Sequence, residues 1–176
     1  MSSTAETAAL PTSPRQLLAR LDALGIAHRT VEHPPLFTVE QSKALRGELP
    51  GVHIKNLFLR DRRETMFLLV AQEDRRVDLK ALGETLGAGK LSFGSAERLM
   101  RHLGVLPGAV TPLAAINDAA GLVAVCIDRA VLAGGKVHCH PLVNTMTTAL
   151  EPGDLLRFLR ATGHEPRLAD LPERAA

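Results

Sequence analysis

The chain has 176 residues, a size that suits one domain with tails. Hydrophobic residues make up 45 %, enough for a core, but aromatics only 3 %, with no Trp or Tyr, so that core is aliphatic. A formal net charge of +2 is too small for a general nucleic-acid coat, which shows as a basic stripe, but it allows a partner touched at one spot.

Residues 1–12 are small and polar and read as a disordered tail. Ser13 can cap a helix with Pro14 at its first position; Leu17, Leu18, Leu21 and Leu24 recur at helical spacing, and Gly25 closes the run. His28 to Glu32 reads as a short strand, and Thr38 with Gln41 as a capping box for a helix to about Arg46. Val52 to Arg60 and Thr65 to Ala71 read as strands joined by a tight turn at Asp-Arg-Arg-Glu. Asp78 to Leu86 is a helix closed by Gly87. Ser95 caps another, with Leu99, Met100 and Leu103 on its apolar side and Gly104 after it.

The stretch GVLPGAVTP is a shaped loop. Leu122 to Ile127 reads as a buried strand, with further strands at Lys136 to His140 and Thr145 to Leu150. Pro152 opens a last helix through Leu159, ending near Gly163, and from Pro166 the chain reads as a polar tail. The expected organisation is thus a tail over 1–12, a domain over 13–165 and a tail over 166–176. Strands and helices mix without a regular βαβ rhythm, so the fold class is α/β (mixed α+β), a single domain.

No apolar run reaches 18 residues, and the N-terminus lacks the regions of a secretory signal; no membrane span and a cytoplasmic location are expected. Cys126 and Cys139 fit neither a zinc framework nor a disulfide scaffold, and neither sits in an activating setting. The Gly-x-Ser-x-Gly elbow and the His-Glu-x-x-His motif are both absent from the sequence, so an enzyme here would use no covalent nucleophile.

The stretch GVHIKNLFLRD holds the main puzzle. Alternate strand residues share a face, so His53, Lys55, Leu57 and Leu59 point one way and Ile54, Asn56 and Phe58 the other. A buried, unpaired ammonium is very costly, so Lys55 either reaches water, as edge-strand lysines do, or lines a polar cleft that receives an anion. Gly108 in PGAVTP lets backbone N–H groups approach a ligand as an anion or oxyanion nest; the plain alternative is a turn.

In HCHPLVNTMTT, His138 and His140 share a strand face, Pro141 breaks the strand, and Asn144, Thr145, Thr147 and Thr148 follow. Satisfied hydroxyls at a strand end explain this stretch, and so would a metal site of His138, His140 and Cys126, although no further ligand pairing supports one. EHPPLFT reads as a rigid connector.

Taken in order, EHPPLFTVEQS, KNLFLRD, LSFGSAERLMRHLGVLPGAVTPLAAIND and HPLVNTMTT resemble the YbaK/ProX family of aminoacyl-tRNA editing domains, over about residues 14–162. The similarity is to the freestanding prolyl-tRNA editing type, which hydrolyses alanine mischarged onto proline tRNA. It implies a mixed, mostly antiparallel sheet flanked by helices, with one cleft.

It also implies roles. Lys55 corresponds to a strand lysine needed for activity that meets the nucleic-acid end of the substrate, with Asn56 beside it. Gly108 and Pro112 match a Gly-x-x-x-Pro loop beside the scissile ester. His140 and Asn144 match a His-Pro-x-x-Asn stretch at the aminoacyl pocket, with Thr145 next. Lys55, Gly108 and His140 are therefore expected to be catalytic, and Asn56, Pro112, Asn144 and Thr145 to bind substrate.

The resemblance assigns no role to His138 or Cys139, and it implies no cofactor and no metal. The expected partner is the acceptor end of an aminoacylated tRNA, tRNA(Pro) first, with prolyl-tRNA synthetase as a further docking partner and no membrane or DNA. Subgroups of the family remove alanine, cysteine, serine or threonine. A tRNA-binding module without catalysis is the rival from another class, but it would call for stacking aromatics, and the chain has only five Phe.

Overall fold

A computed structural model of the chain describes residues 10–35, 44 and 49–171. An eight-stranded mixed sheet organises it, in the order β1-β7-β6-β2-β3-β5-β8, with β4 also pairing β2. The strands are β1 (His28–Glu32), β2 (Val52–Arg60), β3 (Met66–Gln72), β4 (Ser92–Phe93), β5 (Val123–Asp128), β6 (Val137–Cys139), β7 (Met146–Leu150) and β8 (Arg167–Ala169). Pairings β1–β7, β6–β7, β2–β3 and β2–β4 are antiparallel, while β2–β6, β3–β5 and β5–β8 are parallel.

The helices are α1 (Pro14–Ala23), α2 (Leu79–Leu86), α3 (Ala96–Leu103) and α4 (Pro152–Ala161), with 3-10 turns at Pro112–Asn117 and Arg129–Leu132. Local chemistry explains their ends. Ser13 and Gln16 form a reciprocal capping box at α1. Asp78 caps α2 and Ser95 caps α3, and Gly87 and Gly104 close those helices in the left-handed conformation.

β3 lies between β2 and β5 and is apolar on both faces, as a central strand must be. Met66, Leu68 and Val70 join one buried cluster, and Phe67, Leu69 and Ala71 the other. The first cluster is the larger. α1 contributes Leu17 and Leu21 to it, α3 Leu99 and Leu103, α4 Leu155, Phe158 and Leu159, and the 3-10 turn Leu113. The second lies under α2, through Leu82, at the β2-β3-β5 end of the opposite face. Toward β6, β7 and β1 that same face turns polar, with His138, Thr147 and His33.

The hairpin turn, the helices at 14, 79, 96 and 152 and the main strands lie where the sequence places them. The expected helix from Thr38 to Arg46, residue 44 apart, and residues 1–9 fall outside the described residues. Three elements differ from expectation. β4 has only two residues, too few for a period to show. The loop GVLPGAVTP runs into the 3-10 turn that Thr111 caps. The segment from Pro166 is no polar tail as far as Leu171: β8 pairs in parallel with β5, and Ala169 and Leu171 are buried in the second cluster. Its three residues, one charged and two apolar, are too few to show a strand period. Among the described residues no helix is long and apolar enough to cross a membrane.

A buried polar clasp fixes the end of α4. His164 Nε2 lies 2.8 Å from Asp118 Oδ2, its Nδ1 lies 3.0 Å from Thr162 Oγ1, and Asp118 also accepts from the N–H groups of Leu122 and Val123. Removing the ring takes one of three donors from a buried carboxylate that keeps its two backbone N–H partners, at a cost of about 2 kcal/mol. His164→Ala is therefore expected to lower the unfolding free energy in urea by about that amount. A loss below about 1 kcal/mol would show that the clasp contributes no more than a surface pair.

Candidate active site

The edge of β2 away from β3 is shared by two short strands. β6 pairs with it only at Val52 and His53, and β4 only at Leu59 and Arg60. Between them, Ile54 to Phe58 have no strand beside them among the described residues. Lys55 and Asn56 occupy the middle of that opening, which explains why polar residues sit at the centre of a strong strand.

Asn56 projects to the face of Ile54 and Phe58. Its Nδ2 donates to the carbonyl of Val110 at 3.0 Å, tying the loop after α3 to β2, and its Oδ1 is buried without a partner among the described residues. In that loop Gly108 has φ +91°, where a side chain is strained, and a Cβ there would lie 3.5 Å from Asn144 Nδ2. Ala109 N–H is engaged by the Leu106 carbonyl. Pro112 is buried and begins the 3-10 turn, so the loop is anchored at both ends.

β6 ends at Cys139 because Pro141, which has no N–H, cannot continue a ladder. Leu142 then takes φ +72°, an unusual conformation for a branched residue, and holds it with its side chain buried in the larger cluster. That turn brings Asn144 to the Gly108 loop. Thr145 is exposed, and its carbonyl accepts from His33 N–H at 3.0 Å.

The other face carries Lys55 and the imidazoles. In the parallel register His53 stands beside His138, and the next residues of that face are Lys55 on β2 and His140 just past β6. His140 Nδ1 lies 2.9 Å from the Met146 carbonyl; since a carbonyl only accepts, Nδ1 holds the proton and Nε2 is left as an acceptor. Burial, and less strongly the neighbouring His33, lower the His140 pKa against the raising effect of that hydrogen bond, so the ring favours its neutral form. The His33 and His140 rings are 6.2 Å apart, and His33 Nε2 lies 2.7 Å from Thr147 Oγ1.

His53 and His138 stack at 4.4 Å, each with its Nε2 on a backbone carbonyl, of Leu49 and Pro50 respectively. Burial lowers the His138 pKa as well. His33 and His53 lie inside stretches quoted from the sequence but were not among the site residues expected there. The signal for His33 was available in the alternation of β1, where it falls on the face of Val31.

Lys55 does not stand without a partner: its ammonium donates to the Arg75 carbonyl. Burial lowers its pKa, with nearby Asp74 acting the other way. It lines a cleft of about 540 Å3 with Leu57, Val77, Asp78, Leu79, Lys80 and Phe93. The site residues thus form two groups, Asn56, Gly108 and Asn144 on one face and Lys55 and His140 on the other, which flank the same opening. No hydrogen bond joins the two groups among the described residues.

The metal set of His138, His140 and Cys126 is not assembled. Cys126 lies on β5, three strands from β6, and strands ~4.8 Å apart put it far beyond a shared ligand distance from His138. Among the described residues no three His, Cys, Asp or Glu side chains are placed to hold a metal ion.

The model of the aminoacyl-tRNA editing domain matches residues 33–158. The chain is 40 % identical over 154 residues to the Prolyl-tRNA synthetase associated domain-containing protein 1 of Danio rerio, a match that covers 86 % of this chain and 84 % of that one. It is 35 % identical over 156 residues to the Prolyl-tRNA editing protein ProX of Acetoanaerobium sticklandii, covering 88 % and 95 %. A crystal structure described as a candidate trans-editing enzyme for prolyl tRNA synthetase superposes with a TM-score of 0.72 at 21 % identity, over 92 % of this chain and 97 % of that one, and shares the fold. The chain belongs to the aminoacyl-tRNA editing domain family, a family of hydrolases.

Proposed function

We propose that this protein hydrolyses the ester of mischarged tRNA(Pro), with alanyl-tRNA(Pro) as its first substrate. The observation that carries this reading is the opening at the middle of β2, where a lysine, an imidazole and a glycine loop flank one gap. Two further supports are the similarity to a protein named for prolyl-tRNA editing and the family's chemistry.

An aminoacyl ester is already activated, so the site has two tasks: to hold water against the carbonyl and to stabilise the oxyanion. With Ala109 N–H engaged by Leu106, the loop's N–H groups at Gly108 and Val110 are the donors for the oxyanion. One such donor is worth about 10²–10³ in rate. His140 Nε2, held as an acceptor by the Met146 contact, can take a hydrogen bond from the attacking water or from a ribose hydroxyl.

Lys55 would leave the Arg75 carbonyl for a phosphate or ribose oxygen of the acceptor end, a stronger charge-assisted contact. Pro112, Asn144 and Thr145 would border the aminoacyl group. Discrimination then works as a second sieve, a small pocket that admits alanine and excludes proline. Docking on prolyl-tRNA synthetase belongs to the same proposal, as does action in the cytoplasm.

The direct test is single-turnover deacylation of tRNA(Pro) charged with Ala, Cys, Ser or Pro. Alanine is expected to be released fastest and proline spared. Equal loss of alanine and proline, or loss of neither, contradicts the proposal, and preferred loss of Cys or Ser would reassign the substrate within the family.

Lys55→Ala is expected to lower the alanine rate on the order of 10–100-fold, the scale of one hydrogen bond to a charged group. Thermal melting should change little, since the variant removes an ammonium that burial already disfavours. Lys55→Arg should rescue poorly because its planar fork is larger and aimed differently. Near-normal turnover in Lys55→Ala would return this residue to the role of a solvated edge lysine.

A further inference from the structure

Phe58, Phe67 and Phe158 are all buried, whereas Phe93 is 62 % exposed. Its position is nevertheless well defined. Phe93 pairs with Leu59 across β4 and β2, and Gly94 N–H donates to the Phe58 carbonyl at 2.9 Å. Gly94 itself lies so close to the core that a Cβ there would come 2.4 Å from the Phe58 ring, so β4 is pressed onto β2 by the absence of a side chain. Ser95 then caps α3. A ring that sits on so constrained a backbone and still faces water is placed to meet a flat apolar surface.

Pairing with Leu59 puts Phe93 on the face of Leu57 and Lys55, and all three line the same cleft. The Phe93 pairing position, Leu59, is four steps along β2 from Lys55, about 13 Å. One nucleotide and an extended lysine side chain close that distance together. Lys80 also lines the cleft. The Asp78 carboxylate beside it is engaged by the N–H groups of Lys80 and Ala81, and Asp74 lies near Lys55.

We infer that Phe93 is the stacking platform for the 3′-terminal base of the acylated RNA, with Lys80 beside the phosphate that precedes it. The inference rests on the proposed function and extends it to recognition of the nucleoside. Base–aromatic stacking tolerates any base, so this contact would supply affinity and leave the choice of tRNA to other surfaces.

The test measures binding apart from chemistry. The probes are two fluorescently labelled, uncharged RNA minihelices, one ending in CCA and one with an abasic residue in place of the last A. The wild-type protein is expected to prefer the intact end by roughly tenfold, the scale of one stacked base. Phe93→Ala and Phe93→Leu should lose that preference, and Phe93→Trp should keep it, with melting temperatures unchanged because the ring is exposed.

Equal binding of the two RNAs by wild type, or an undiminished preference in Phe93→Ala, overturns the inference. So does a wild-type dimer that Phe93→Ala converts to a monomer in gel filtration, since the ring would then belong to a second copy. Deacylation by wild type, run in parallel, keeps the two proposals apart. An active enzyme without base preference loses only the platform, and an inactive protein that still prefers the intact end loses only the esterase reading.

Discussion

A strand that stops early is the constraint on which the rest depends. β6 runs beside β2 for two residues and must leave, because Pro141 offers no N–H to a ladder and Leu142 turns the chain left-handed. β4 covers β2 again only from Leu59. Among the described residues the gap between them is an edge inside a sheet, and exposed edges invite pairing with other chains. Here the loop after α3 covers one side of the gap through the Asn56–Val110 contact, and Lys55 blunts the other with charge. The features that protect the edge are also those to which the proposed ester hydrolysis is assigned.

The two faces divide the work. Aliphatic packing from α1, α3, α4 and the 3-10 turn fills one face and clamps the loop that holds Gly108. On the other, the second cluster ends near Leu57, and histidines and threonines continue toward β1. Burial keeps His140 and His138 toward their neutral forms, so this face presents acceptors beside one ammonium. A row of charged imidazoles next to Lys55 would repel it. The strained φ of Leu142 is held by burial of its side chain, so the core that stabilises the fold also fixes the position of Asn144.

Much of this was legible in the sequence, for identifiable reasons. Capping residues marked the helices, because Ser13, Asp78 and Ser95 satisfy orphan N–H groups wherever they occur. The period of two in β2 correctly put Lys55 and Asn56 on opposite faces. It could not show that β6 and β4 leave a gap between them, since that depends on pairing between distant segments. For the same reason His33 was missed: its partners Thr147 and His140 are more than a hundred residues away. β8 was taken for a polar tail because its burial comes from pairing with β5, while two of the residues around it, Arg167 and Asp170, are charged. The sequence offers Lys55 only water or an incoming anion as partners; the Arg75 carbonyl, which accepts from its ammonium, comes from a segment twenty residues away.

The central claim is that Asn56 and the Gly108 loop act as one unit at the opening, Asn56 as a positioning residue and the loop as the oxyanion donor. The most direct measurement is a double-mutant cycle of single-turnover deacylation rates on alanyl-tRNA(Pro) for Asn56→Ala, Gly108→Ala and the pair. Each single variant is expected to slow the reaction by about 10²-fold, the scale of one lost oxyanion donor. The pair should be little worse than either, because a loop already displaced has no further donor to lose. A single variant with near-wild-type turnover, or effects that simply multiply, would contradict the coupling of β2 to the loop.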